Sequence, residues 1–324
     1  MKNKIRLILY SQWFVLLIII LLIGTVTAFV NPKFLTWRNI LAIVTQVASL
    51  SLVAIGANIM ISSGHFDISV GSIIGLCTCI MAILIIKGVN EFAVFLVGMV
   101  VAVVCCTLNG ALSIILHAPS FIITMATKGI YTGIGLLMTQ GVLQMITGKF
   151  RFFSGTKIVG NIPIMVFIAL ICYIIAFILM KYTQTGRQIY AIGANSTAAY
   201  LAGINVNKCK IKFFIIDGLL VGLAAAMYLS RLGSGLPSYG TGMEMDAMGA
   251  VVIGGTPING GKGSIGGTLC GVILIGLISN SLNMMRVNAF WQDIASGLLI
   301  ILALAISAIR IKLAAMQSEI AEES

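Results

Sequence analysis

The chain has 324 residues, of which 59% are hydrophobic and only 9% are charged. A soluble protein carries charge on about a quarter of its residues, so 20 basic and 9 acidic side chains are too few to cover a surface that faces water. This composition excludes a soluble enzyme, a disordered chain and a disulfide-rich secreted domain. It predicts an all-α polytopic membrane protein with one transmembrane domain over residues 1–324.

Apolar runs long enough to cross a bilayer follow one another along the chain. The first, over residues 7–30, comes after Lys2, Lys4 and Arg6 and extends about 36 Å as a helix. Because a backbone in hydrocarbon must form its own hydrogen bonds, each run predicts a helix. About ten spans are expected, over residues 7–30, 40–61, 68–86, 92–116, 119–138, 162–180, 213–232, 244–258, 266–284 and 290–309. The segment 244–258 is short and has two glycines near its end, so a broken or re-entrant helix is the alternative there.

The basic residues lie in the gaps between these runs, and this distribution predicts the topology. Ten crossings put both termini on one side of the membrane. The basic N-terminus and the five basic residues of the gap 181–212 place that side in the cytoplasm. The formal charge of +11 does not indicate nucleic acid, because the basic residues are not clustered with aromatic residues. We therefore expect cytoplasmic N- and C-termini, contact with membrane lipid and no nucleic-acid partner.

Two sequence features suggest a phosphate-binding loop and a metal or redox site, but neither has the residues that such a site requires. The glycine-rich stretch 254–264 lacks the first Gly and the Ser or Thr of a phosphate-binding loop. The seven cysteines form no CxxC pair, and only two histidines are present to complete a metal site. We predict no catalytic residue, no metal and no cofactor in this chain, with any ATP and Mg²⁺ bound by a partner.

Glycines recur at four-residue spacing within the apolar runs. These sets are Gly71 and Gly75, Gly129 and Gly133, Gly218 and Gly222, and Gly263, Gly267 and Gly271. Small residues at this spacing let membrane helices approach closely. We interpret them as the architecture of a helix bundle or dimer.

The polar gap 181–212 contains a short predicted helix. Asn195 is a favourable N-cap, and Gly203 suits the left-handed residue that follows a helix. The residues on one face of this helix are Ala198, Leu201 and Ala202. Since two turns are not stable alone in water, the helix is expected to pack on its own membrane domain or to bind a cytoplasmic motor protein.

The sequence around this helix resembles the cytoplasmic coupling motif of ABC importer permeases of the ribose/xylose/galactose type. That motif reads Gly-Gly-Asn-Glu-Ala-Ala and then Gly-Ile-Asn-Val, and residues 193–206 follow it. Residues 64–72 are similar to the family's Gly-Gly-Ile-Asp-Leu-Ser-Val-Gly-Ser, and 119–124 and 239–263 match further family motifs. The likeness covers residues 31 to about 306. The sequence departs from the family at His65, at Ser196 and Thr197, and at Lys128 within the fifth span.

This resemblance implies the ABC importer permease fold and a subunit of an ATP-driven importer in the bacterial inner membrane. The implied substrate is a monosaccharide, a pentose or hexose, delivered by an extracytoplasmic sugar-binding protein. The implied partners are an ABC ATPase subunit and a second permease chain, either another copy or a paralogue. Two alternatives stay open: an ion-coupled secondary transporter, and an ABC permease for a non-sugar such as autoinducer-2 or a nucleoside.

The motif matches imply two groups of functional residues. Those of the ATPase-coupling loop are Arg187, Gly193, Asn195, Leu201, Gly203, Ile204 and Asn205. Those of the translocation path or gate are Asp67, Ser69, Phe121, Thr124 and Lys128. We expect Asp67 to cap the helix of the third span, because carboxylates are favoured at helix N-termini. Lys128 is expected to face a water-lined path or an acid such as Asp217, the alternative being a lysine that reaches the membrane interface.

Overall fold

A computed structural model describes residues 12–288 and, beyond them, positions 291, 294, 297, 298 and 301. Residues 7–11 of the first predicted span and most of the tenth, 290–309, lie outside the described residues. The helices are α1 (Gln12–Val30), α2 (Trp37–Ser62), α3 (Val70–Ile86), α4 (Glu91–Ile115), α5 (Ser120–Thr139), α6 (Phe152–Gly155), α7 (Ile164–Tyr182), α8 (Gln184–Ala194), α9 (Ser196–Leu201), α10 (Val206–Leu232), α11 (Met243–Ile253) and α12 (Ile265–Met284). A 3-10 turn (Pro32–Leu35) follows α1, and two short strands, β1 (Gln144–Met145) and β2 (Ser234–Gly235), pair antiparallel.

The predicted polytopic helical fold is present. Within the described part of the chain, six helices are long and apolar enough to cross a membrane, namely α2, α4, α5, α7, α10 and α12. Helix α3 and the stretch 16–30 of α1 are apolar but shorter. The protein is therefore a multi-pass membrane protein, but the count of about ten spans is not confirmed.

Helices α2 and α10 lie at the centre of the bundle, where each packs against several other helices. Helix α10 packs along α4, where a Cβ atom at Gly218 would lie 2.7 Å from the Cα of Val103. The predicted close approach of helices at Gly218 and Gly222 is thus present. Gly129 and Gly133 of α5 differ, because a Cβ at either position would meet no atom of the described chain within 4 Å.

The segment predicted as the eighth span, 244–258, is helical only as far as Ile253. Helix α11 has 11 residues, which cover about 16 Å at 1.5 Å per residue and do not cross a bilayer core of ~30 Å. Before α11, residues 236–242 are not helical, and Gly240 and Gly242 have φ values of 86° and 87°. This segment lies against α3, with the carbonyl groups of Pro237 and Gly240 beside Gly75 and Gly71. The left-handed backbone of Gly240 and Gly242 precedes the start of α11. The chain that packs against Gly71 and Gly75 is therefore irregular backbone and not a helix.

The connections gather at the two ends of the bundle. At one end the connection 63–69, helices α8 and α9 and the loop 254–264 meet, and the Gly261 N–H donates to the Ser62 carbonyl at 2.9 Å. Gly193 fits between these two groups, and a side chain there would collide with the Ser62 carbonyl. At the other end β1 pairs with β2, and the Phe150 N–H donates to Glu91 Oε1 at 2.8 Å. The polar gaps 181–212 and 139–161 therefore lie at opposite ends.

Candidate functional site

The connection between α2 and α3 carries a buried carboxylate. Asp67 Oδ1 accepts the backbone N–H of Ser69 at 2.8 Å and its hydroxyl at 2.6 Å. Asn109 of α4 donates to Ser69 Oγ at 2.8 Å and to Asp67 Oδ2 at 3.4 Å. Because Ser69 immediately precedes α3, Asp67 holds the start of the helix and does not bond the amides of its first turn. The prediction that Asp67 caps the exposed amides of this helix is therefore corrected: Asp67 instead bonds the residue that precedes the helix.

Helix α5 joins the same polar network. Thr124 Oγ1 accepts the N–H of Ile68 at 3.1 Å, and the Tyr131 hydroxyl donates to Asn109 Oδ1 at 3.0 Å. The structure thus brings Asp67, Ser69 and Thr124 together, whereas Phe121 is exposed on the outside of α5. Sequence reasoning missed Asn109 and Tyr131, although a polar side chain such as Asn109 inside an apolar run was an available signal.

Lys128 forms an ion pair with Glu244 of α11. The Lys128 Nζ and Glu244 Oε1 atoms lie 2.5 Å apart, and the two side chains are 35% and 2% exposed. The acidic partner is therefore Glu244, and the pairing with Asp217 suggested from the sequence is wrong. The two paired residues are separated by 116 positions, so no local pattern connects them.

Asp217 lies deep in α10, facing the cluster around Asp67. It is 1% exposed, and neither of its carboxylate oxygens has a hydrogen-bond partner within the described residues. Asp67, Asp217 and Cys106 offer ligand atoms that all lie within 4.8 Å of one another. A cavity of about 10 Å³ is lined by ten residues that include Asp67, Asp217 and Glu244. The interior therefore contains three acidic side chains around one small space.

The predicted cytoplasmic helix is α9. The side chain of its N-cap, Asn195, accepts the Ala198 N–H at 2.9 Å. The chain leaves the helix through Gly203, with φ of 86°, and the Ile204 N–H donates to the Ala199 carbonyl at 3.0 Å. The N-cap predicted at Asn195 and the left-handed residue predicted at Gly203 are thus both present.

The outward surface of α9 includes two large, largely apolar side chains. Ala199 packs inward at 5% exposure, whereas Tyr200 and Leu201 are 69% and 80% exposed. Arg187 on α8 and Asn205 are also exposed, and Asn205 caps α10 by accepting the Lys208 N–H at 3.0 Å. A two-turn helix that presents large apolar side chains outward is a surface suited to binding another protein.

His65, in the connection 63–69, is partly buried. Its Nε2 has no hydrogen-bond partner in the described part of the chain. Burial, reinforced by the positive charge of Lys210, lowers the pKa of His65 from 6.5 to about 4. The imidazole is therefore neutral at pH 7.

Known proteins resemble this chain over most of its length. The profile of the family described as branched-chain amino acid transport system / permease component matches residues 39–304. The ribose import permease protein RbsC of Bacillus subtilis (strain 168) is 36% identical over 283 residues, or 86% of this chain and 87% of that protein. The D-allose transport system permease protein AlsC of Escherichia coli (strain K12) is 34% identical, with coverage of 92% and 90%. The autoinducer 2 import system permease protein LsrC of Enterobacter sp. (strain 638) is 30% identical, with coverage of 88% and 83%. No solved structure gives a significant match.

Proposed function

Since the chain belongs to the family of permease components of the branched-chain amino acid transport type, we propose that it is the membrane subunit of an ATP-driven monosaccharide importer. The substrate class, a pentose or hexose, follows the relatives that import ribose and allose. The chain is a transport subunit of the inner membrane and not an enzyme. An ion-coupled secondary transporter is not favoured, because these relatives are ABC permeases.

The observation that carries this proposal is the exposed apolar surface of α9. A permease of this class needs a contact through which an ATPase subunit changes the conformation of the membrane domain, since ATP shifts an equilibrium only by binding its states differently. We assign this contact to Tyr200 and Leu201, with Asn195 and Gly203 fixing the helix ends. ATP and Mg²⁺ belong to the ATPase subunit, and α9 lies on the cytoplasmic side together with both termini.

Movement of α9 has a direct route into the membrane domain. Ala194, which ends α8, immediately precedes the N-cap of α9. The neighbouring Gly193 lies against the Ser62 carbonyl and the Gly261 N–H, at the ends of α2 and of the loop 254–264. Because these contacts are between backbones, no flexible side chain absorbs a displacement. A shift of α9 therefore reaches the connection that holds Asp67.

The translocation path is assigned to the surface of α5 that contains Lys128. A charged amine near mid-membrane is costly in hydrocarbon, yet 35% of the Lys128 side chain is exposed in the single chain. This surface therefore faces a hydrated path and not lipid. Gly129 and Gly133 lie on the outer surface of the same helix without contacts in the described chain, which suits the approach of a second permease chain on the other side of the path.

Copurification tests the assignment of α9. Leu201→Asp places a charge in the proposed contact without affecting the interior, and we expect it to abolish copurification with the ATPase subunit of the same importer. Val159→Asp is the matched control, because Val159 is 63% exposed at the opposite end of the bundle. Full retention of the ATPase by Leu201→Asp, with normal membrane insertion, would refute the assignment.

A further inference from the structure

Asp217 of α10 differs from the other interior acids because no group balances a charge on it. Glu244 is paired with Lys128. Asp67 accepts three hydrogen bonds and lies just before α3, where the helix dipole favours a negative charge. Asp217 is 1% exposed, and within the described residues neither of its oxygens has a hydrogen-bond donor or a cation. An ionised Asp217 would therefore be a bare negative charge in the interior.

A second carboxyl group lies close to Asp217 and disfavours its charge further. Asp67, Asp217 and Cys106 each offer one ligand-type atom, and these atoms all lie within 4.8 Å of one another. When two carboxyl groups are this close, the charge on one disfavours ionisation of the other. The Cys106 thiol is only a weak hydrogen-bond donor and supplies no positive charge. One of the two carboxyl groups is therefore expected to be neutral, and Asp67 is the one that has donors for a negative charge.

The space around Asp217 suits a neutral acid and not an ion. A Cβ atom at Gly56 of α2 would collide with Asp217 Oδ1, so this oxygen lies directly against the helix backbone. The adjoining cavity has a volume of about 10 Å³ and is lined by seven apolar residues besides the three acids. This volume holds at most one water molecule, which is too little to hydrate an ion. Apolar surroundings penalise an ionised carboxylate far more than a neutral carboxyl group.

We propose that Asp217 is a proton-binding site that is occupied at neutral pH, so that the two facing carboxyl groups carry one negative charge, located on Asp67. The titratable groups that face Asp217 or lie on the adjacent helix α3 are Asp67, Cys106 on α4, Glu244 on α11, and Cys77 and Cys79 on α3. None of these groups supplies a positive charge. Opening of the cavity to water would allow Asp217 to ionise, so the bound proton favours the closed packing of α10 against α2.

Thermal unfolding of the full chain in lipid nanodiscs at several pH values tests this site. The folded chain holds the proton and the unfolded chain releases it, so the folding equilibrium constant should fall about tenfold per pH unit, or about 2 °C in unfolding temperature. We expect this fall between about pH 7 and 8, within the range documented for buried acids. Asp217→Asn, which replaces a neutral acid with a neutral amide, should remove it and unfold at pH 8 no earlier than the wild type. Asp67→Asn is the matched comparison and should lower the unfolding temperature at every pH, because it removes the charge that three donors hold.

Several results would overturn the proton site. These are an equal pH dependence in the wild type and Asp217→Asn, or an unfolding temperature of Asp217→Asn below that of the wild type at every pH. Infrared spectroscopy at neutral pH should show a protonated-carboxyl band that Asp217→Asn lacks, and its absence from the wild type would contradict the proposal. Stabilisation by Zn²⁺ that Cys106→Ser abolishes would assign the three groups to a metal ion instead. These measurements need neither sugar nor partner proteins, so their failure leaves the proposed transport function standing.

Discussion

Replacing Lys128 with Met leaves the carboxylate of Glu244 buried without its counter-charge. The two side chains are 2.5 Å apart, with 35% of Lys128 and 2% of Glu244 exposed. Loss of one partner from a buried pair costs about 3–5 kcal/mol, whereas an exposed pair contributes about 1 kcal/mol or less. We therefore expect Lys128→Met to lower the free energy of unfolding by about 3 kcal/mol. Glu244→Gln leaves the more exposed ammonium unpaired, and we expect a loss of about 1 kcal/mol.

The double variant separates stability from transport. Removing both charges leaves no unpaired ion, so the combined loss should be smaller than the sum of the single losses by about 1–2 kcal/mol. Uptake of a labelled monosaccharide should stay reduced by about tenfold or more in the double variant, because the charged lining of the proposed path is missing even where the fold is restored.

Two results would refute this reasoning. Additive losses, or a larger loss for Glu244→Gln than for Lys128→Met, would show that the ion pair does not control the stability of this region. Recovery of uptake in the double variant together with recovery of stability would limit the pair to a structural role.

Three further predictions concern the end of the bundle that contains α8 and α9, which we propose to be cytoplasmic. Gly193→Ala should lower the unfolding temperature of the chain, because its Cβ would collide with the Ser62 carbonyl, whereas Gly129→Ala, which meets no described atom, should not. Asn195→Ala should weaken α9 by about 1 kcal/mol and reduce ATP-driven uptake, with Asn195→Ser restoring it; equal uptake in both variants would contradict a capping role. The pKa of His65 is about 4 in the folded state, below its ordinary value of 6.5. The unfolded chain therefore takes up a proton first as the pH falls, so the contribution of neutral His65 to the free energy of unfolding is complete above pH 6.5 and is lost as the pH falls towards 4. The loss should be at most about 3 kcal/mol, and His65→Gln should remove this part of the pH dependence of thermal unfolding.

Local signals were predictable from the sequence. Spans follow from runs of apolar residues, because backbone in hydrocarbon has no alternative to the helix. The ends of α9 follow from Asn195 and Gly203, since capping depends only on residues within one turn.

Long-range pairing was not predictable in the same way. Lys128 and Glu244 are 116 residues apart, and Asp217 could not be excluded as the partner without the packing of α5, α10 and α11. The sequence left a broken or re-entrant helix open for 244–258, because that run is short and has two glycines near its end. It did not show that the non-helical backbone lies upstream of α11, at Gly240 and Gly242. Side chains that meet only in the folded chain leave no periodic signal.

Reconstituted uptake tests the central claim most directly. Proteoliposomes would contain this chain, the ATPase subunit of the same importer or both, with the sugar-binding protein and its labelled monosaccharide outside and ATP inside. We predict accumulation only when all three proteins and ATP are present. Accumulation by this chain alone, driven by a sodium or proton gradient, would contradict the account.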